Sequence, residues 1–92
     1  MILSFKCAHT QALYETGKSK LFANIKKAAE RKLQLLDSAE TFEFLRSPPG
    51  NHLEQLLNDR AGQHSIRINN QWRVCFVWTD KGPKDVEIVD DH

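Results

Sequence analysis

The stretch His64-Ser65-Ile66-Arg67-Ile68-Asn69-Asn70-Gln71-Trp72-Arg73-Val74-Cys75-Phe76 decides how this chain folds. Two short runs alternate apolar and polar residues around an Asn-Asn-Gln centre, the pattern of an antiparallel hairpin. Side chains on a strand alternate faces, so the loop length fixes which residues share a face. A two-residue turn at Asn69-Asn70 would pair Ile66 with Arg73 and Arg67 with Trp72, mixing charge into both faces. A three-residue loop of Asn69, Asn70 and Gln71 instead pairs Ile68 with Trp72, Ile66 with Val74 and His64 with Phe76. On the other face it pairs Arg67 with Arg73 and Ser65 with Cys75. This register separates apolar from polar, and asparagine tolerates the left-handed backbone that such a bulged loop needs. Like charges directly opposed destabilise a sheet. Either an anion such as a phosphodiester lies between the two arginines, or each pairs with a nearby carboxylate, with Glu54, Glu87 and Asp91 at hand.

Outward from the hairpin, period two continues. Strands are expected near 52–57, 63–69, 71–79 and 85–90, with a loop at 58–62 and a turn at Asp80-Lys81-Gly82-Pro83. Before Ser47-Pro48-Pro49-Gly50, which no helix can cross, the period changes. Phe22, Ile25, Ala29, Leu33 and Leu36 are spaced three, four, four and three apart, one apolar stripe on a helix over about 20–38. Lys20, Asn24, Lys27, Arg31 and Gln34 are spaced four, three, four and three apart on another face. Thr10 is placed to cap a shorter helix that Gly17 ends after Thr16, residues 39–46 suit one or two helical turns, and Ile2 to Cys7 reads as a short strand. The expected architecture is α+β: an N-terminal strand and two to three helices packed on one face of an antiparallel sheet. The 92 residues hold one domain, 1–92.

The formal net charge of +1 conceals an asymmetry. Residues 1–36 carry seven basic and two acidic side chains, a net of +5, and residues 37–92 carry six and ten, a net of −4. The first segment is rich in lysine, whereas the second concentrates arginine, whose planar fork suits bidentate contact with phosphate. A solvated charged surface is the plainer reading of the helical stripe; an acidic partner or a nucleic-acid backbone is the functional one. The N-terminus has no apolar run of signal-peptide type, and no stretch approaches membrane-spanning length, so a cytoplasmic protein is expected. Cys7 and Cys75 lie in apolar surroundings without metal or redox spacing.

No phosphate-binding glycine loop, dinucleotide fingerprint or zinc-protease motif is present, and His9, His52, His64 and His92 lack metal-ligand spacing, so neither metal nor cofactor is expected. What remains is an acid–base set. RNA carries its own nucleophile, the 2′-hydroxyl. Cutting it needs a base for that proton, a cation for the developing phosphorane charge and an acid for the leaving 5′-oxygen. Arg67 and Arg73 are candidates for the cation; Glu54, Asp90, Asp91 and His92 are candidates for proton transfer. The α-carboxylate of His92 itself would favour its imidazolium.

The chain resembles the HigB-type toxins of bacterial toxin–antitoxin modules, within the RelE/ParE superfamily. The resemblance rests on Ser4-Phe5, Arg46-Ser47-Pro48-Pro49-Gly50-Asn51, Leu53-Glu54, Asn58-Asp59-Arg60-Ala61-Gly62-Gln63-His64-Ser65-Ile66-Arg67-Ile68-Asn69, Gln71-Trp72-Arg73-Val74-Cys75-Phe76 and Val86-Glu87-Ile88-Val89-Asp90 with His92. It implies a compact RelE-like fold and a ribosome-dependent mRNA interferase that stops translation. It also implies a HigA-type helix-turn-helix antitoxin, with which the toxin would bind operator DNA, and no membrane association. Arg73 matches the family arginine expected to hold the scissile phosphate, assisted by Arg60 and Arg67. Asp90 and His92 match the ends of the family's Asp-Tyr-His tail, and Glu54 occupies a position on the preceding strand where some members carry histidine. Lys20, Lys27 and Arg31 would face ribosomal RNA. Asp91 stands where the family commonly has a tyrosine that stacks on a base, and losing that platform implies a weak toxin. The alternatives are a non-enzymatic poison of ParE type and a degenerate toxin that serves mainly as co-repressor.

Overall fold

The computed structural model describes residues 1–47 and 49–90. Its helices are α1, Ala8–Thr16, and α2, Lys26–Ser38. Its strands are β1, Glu54–Gln55; β2, His64–Arg67; β3, Trp72–Thr79; and β4, Gly82–Asp90. The strands form one antiparallel sheet in the order β1-β2-β3-β4. The α+β architecture read from the sequence is the one observed, with both helices against one sheet face.

The apolar stripe of α2 explains that packing. Ala29, Leu33 and Leu36 are buried, together with Phe22 and Ile25 from the preceding turn and Leu13 from α1, against Ile66, Val74, Phe76, Val86 and Ile88 of the sheet. The ring of Phe22 meets Trp72 edge-on at 5.6 Å. The register is that of the odd loop: His64 pairs with Phe76, Ser65 with Cys75, Ile66 with Val74 and Arg67 with Arg73. Asn69 holds the loop, its Oδ1 accepting from the backbone N–H groups of Gln71 and Trp72, both at 2.8 Å.

Several elements differ from expectation. The expected helix over 20–38 begins at Lys26, after a short 3-10 turn at Ala23–Ile25, because Ile25 (φ −120°) breaks the helical path. Lys20 therefore lies outside the helix. Thr10 does not cap α1, which starts at Ala8; it is buried, and its hydroxyl accepts from the Ile88 N–H at 3.0 Å, satisfying a donor on the outer edge of β4. Residues 42–46 form a 3-10 helix capped by Thr41. The strand expected near 52–57 shrinks to Glu54–Gln55, because His52 (φ 44°) and Asn58 (φ 57°) turn the backbone away on either side.

The expected N-terminal strand is an extended segment running parallel to β4 and joined to it by a single bridge, Phe5 to Val86. A β-bulge interrupts the ladder here: Cys75 pairs with Glu87 but Val77 with Lys84, and Asp85 takes φ 53°. The Ser4 hydroxyl accepts the Asp85 N–H at 2.9 Å, and backbone bonds from Leu3 to Pro83 and from Lys6 to Val86 hold the segment on either side.

Candidate functional site

The sheet face turned away from the helices carries the polar half of the hairpin. Alternation puts Ser65 and Arg67 of β2, Arg73 and Cys75 of β3 and Glu87 of β4 on it, opposite the core residues Ile66, Val74 and Ile88. Arg73 is only 7% exposed. Its side chain reaches across β2: Nε donates to the Ser65 hydroxyl at 2.7 Å, and Nη2 donates to the His52 carbonyl at 2.6 Å and the Ser65 carbonyl at 3.3 Å. Nη1 faces the Glu54 carboxylate at 4.0 Å, where a charge pair is felt without a direct hydrogen bond. Glu54 is well exposed on the edge strand, so this pair is where solvent meets the arginine.

Arg67 sits directly across from Arg73 in register, yet the two guanidinium groups part. Arg67 turns along the hairpin and donates to the Asn69 carbonyl at 3.1 Å and to the Asn70 side-chain oxygen. The expected repulsion is thus relieved by acceptors lying in opposite directions, loop oxygens for Arg67 and, for Arg73, Ser65, the His52 carbonyl and the nearby Glu54 carboxylate, and no anion between the pair is required. Arg60 takes the carboxylate route. Its Nη1 donates to Glu87 at 2.6 Å and to the Gln63 side chain at 3.2 Å, and the bond to Glu87 raises the Arg60 pKa although burial works against it.

The other expected site residues lie elsewhere. Asp90 pairs with Trp72 in register and accepts from the Gln71 side chain at 3.1 Å. Its place in the alternation is that of Ile88, so it heads the helix side of β4, away from Arg73. The expected convergence of arginine and tail acid is therefore not seen for Asp90. Asp91 and His92 fall outside the described residues. Lys27 and Arg31 are exposed on α2, and Lys20 is exposed ahead of it, across the sheet from the arginine face. Two hollows follow α2: one of about 480 Å³ lined by Lys26, Lys27 and Asn69, and one of about 350 Å³ lined by Arg31, Lys32 and Leu35. Among the described residues no group of histidine, cysteine, aspartate and glutamate is arranged to hold a metal ion.

The anchors of Arg73 were not legible in the sequence. Ser65 is fully buried, and its only signal was its place opposite Cys75 on the polar face. The His52 carbonyl has no sequence signature. His64 lies among Phe42, at 4.8 Å, and Phe76, at 6.3 Å; its Nδ1 is buried without a hydrogen-bond partner among the described residues. Burial first, and Arg46 second, push its pKa down.

A two-helix layer on a four-strand sheet, with an arginine-bearing hairpin facing out, is the architecture of a RelE-like toxin. The family model for the "RelE-like toxin of type II toxin-antitoxin system HigB" matches residues 3–92. The chain is 40% identical over 82 residues to Toxin HigB-1 of Vibrio cholerae, covering 87% of this chain and 86% of that protein. It is 36% identical over 76 residues to an uncharacterized protein of Haemophilus influenzae, covering 80% and 75%. Its fold matches a chain of the YoeB-YefM complex from Staphylococcus aureus with a TM-score of 0.64 at 22% identity, over 100% of this chain and 98% of that one. The chain belongs to the HigB-like toxins of type II toxin–antitoxin systems.

Proposed function

We propose that this protein is an endoribonuclease that cleaves mRNA on the ribosome and so arrests translation. The observation that carries the reading is the pair at 4.0 Å between the exposed Glu54 and the largely buried Arg73, on the sheet face turned away from the helices. In this reading Glu54 removes the proton from the 2′-hydroxyl. The 2′-oxygen attacks phosphorus, the P–O5′ bond breaks, and the products are a 2′,3′-cyclic phosphate and a 5′-hydroxyl end. Arg73, pre-set by Ser65 and His52, turns Nη1 toward the charge that builds on the phosphorane. His92, two residues past the end of β4, returns a proton to the 5′-oxygen. Asp90, held by Gln71, positions that tail. Arg60 and Arg67 steady the flanking backbone, and Lys20, Lys27 and Arg31 meet ribosomal RNA from the helix side.

The cytoplasm would be the setting, and the controlling partner would be a HigA-type helix-turn-helix antitoxin; together they would occupy operator DNA. That a chain of the same fold occurs in the YoeB-YefM complex supports a protein partner. Asp91 keeps a second reading in play. An acid in place of a stacking tyrosine removes roughly 1–3 kcal/mol of base stacking, which fits a weak toxin or one retained chiefly as co-repressor. Inducing the protein without antitoxin and mapping mRNA ends by primer extension separates the readings. Cuts inside translated codons that vanish in Arg73→Ala and His92→Ala support the nuclease; DNA-damage signalling without cuts would point to a ParE-type poison, and no growth effect to a co-repressor. Asp91→Tyr is expected to deepen the growth arrest, and an unchanged or milder arrest would count against the stacking argument.

A further inference from the structure

The N-terminal segment delivers a cation to the arginine face that the nuclease reading leaves unused. Phe5 bridges to Val86 and turns its ring inward against Tyr14 at 5.8 Å, so Lys6, the next residue, falls on the opposite side beside Glu87. Its ammonium lies 4.0 Å from the same Glu87 oxygen that Arg60 holds at 2.6 Å. Two cations from distant parts of the chain thus gather on one largely buried carboxylate. They are not held alike. Arg60 is fixed through Nη1 alone, and Nε and Nη2 make no hydrogen bond among the described residues. Lys6 is half exposed and beyond direct hydrogen-bond reach of the carboxylate, so its ammonium can swing to a ligand.

The position matters as much as the charge. Glu87 pairs with Cys75, two residues along β3 from Arg73 and on the same face. The distance along a strand between such residues is about 6.6–6.8 Å, and neighbouring strands are about 4.8 Å apart, well within the span of lysine and arginine side chains. With Lys6 included, the described residues on this face include four cations, Lys6, Arg60, Arg67 and Arg73, and two carboxylates, Glu54 and Glu87. That excess of positive charge stands out in a chain whose residues 37–92 are net acidic.

We propose that Lys6 and Arg60, gathered around Glu87, form a second phosphate subsite for single-stranded RNA, taking a phosphodiester next to the one held by Arg73. The subsite rests on reading this face as an RNA-gripping surface, and Glu87 serves as a positioning residue that aims Arg60. Binding of a 2′-O-methyl RNA oligonucleotide, which lacks the nucleophile and cannot be cut, is measured by fluorescence anisotropy across a salt series. Each phosphate contact on a single strand contributes about 0.7 to the slope of log K against log salt. Lys6→Ala should flatten the slope by about that amount. Lys6→Arg should restore it, and Lys18→Ala, a lysine outside the face, should leave it unchanged. Thermal melts keep loss of folding apart from loss of contact. A Lys6→Ala slope equal to wild type, or a wild-type protein that does not bind the oligonucleotide, overturns the subsite. The experiment reads binding alone. Protein that binds with the expected slopes yet leaves translated messages uncut would refute the nuclease and leave the subsite standing; message cutting with an unaltered Lys6→Ala slope would do the reverse.

Discussion

The two faces of the sheet are built on different principles. The helix-facing side is held by area: Ile66, Val74, Phe76, Val86 and Ile88 gain stability by leaving water against α1 and α2. The open side is held by direction: Arg73, Arg60 and Arg67 each lock onto specific acceptors, and the strength lies in satisfied polar atoms. A face built on area tolerates exchange of one aliphatic residue for another. A face built on direction does not, and it keeps a charged group poised at its rim. That difference lets one small sheet serve as both floor of the core and candidate reaction surface.

The largest expected effect is on the area-built face. Leu33→Ala should cost about 2–5 kcal/mol in denaturant unfolding, because α2 cannot collapse fully onto the space left; a loss well under 1 kcal/mol would break the contrast. On the direction-built face, two neighbouring arginines should differ. Arg73→Met should cost about 1–3 kcal/mol by leaving the Ser65 and His52 acceptors without their donor. Arg67→Met, at the end of β2 where the side chain turns to the exposed loop, should change stability by about 0.5 kcal/mol or less; equal effects would mean that register, and not acceptor geometry, sets their roles. The smallest effect concerns pH. The His64 pKa is held below its ordinary 6.5, so the unfolded chain takes up the proton first as pH falls. The stabilisation is present above 6.5 and is lost progressively on acidification below it. His64→Phe should flatten that part of the melting-temperature profile, and an unchanged slope would remove His64 as its source.

The hairpin was legible because parity is strict: only the odd loop kept Arg67 and Arg73 off the oily face, and that register is the one formed. The α2 stripe was legible for the same reason, in period 3.6. Where local backbone conformation decided the outcome, the sequence pattern misled. His52 and Asp85 take positive φ at the first positions of two expected strands, which shortens β1 and bulges β4, and Asn58 does so where the expected loop begins. Thr10 carried a capping signal but answered a backbone donor 78 residues away. The separation of the two opposed arginines was equally hidden, since loop carbonyls and the backbone of residue 52 have no signature in side-chain pattern.

The proposed cleavage depends on Glu54 and Arg73 acting as a reacting pair. The most direct test is the single-turnover rate of message cleavage on programmed ribosomes for wild type and Glu54→Gln, with ribosome binding measured alongside. The pairing predicts a fall of about 10²–10⁴-fold in the cleavage step with binding unchanged. Cleavage by Glu54→Gln at the wild-type rate would contradict it.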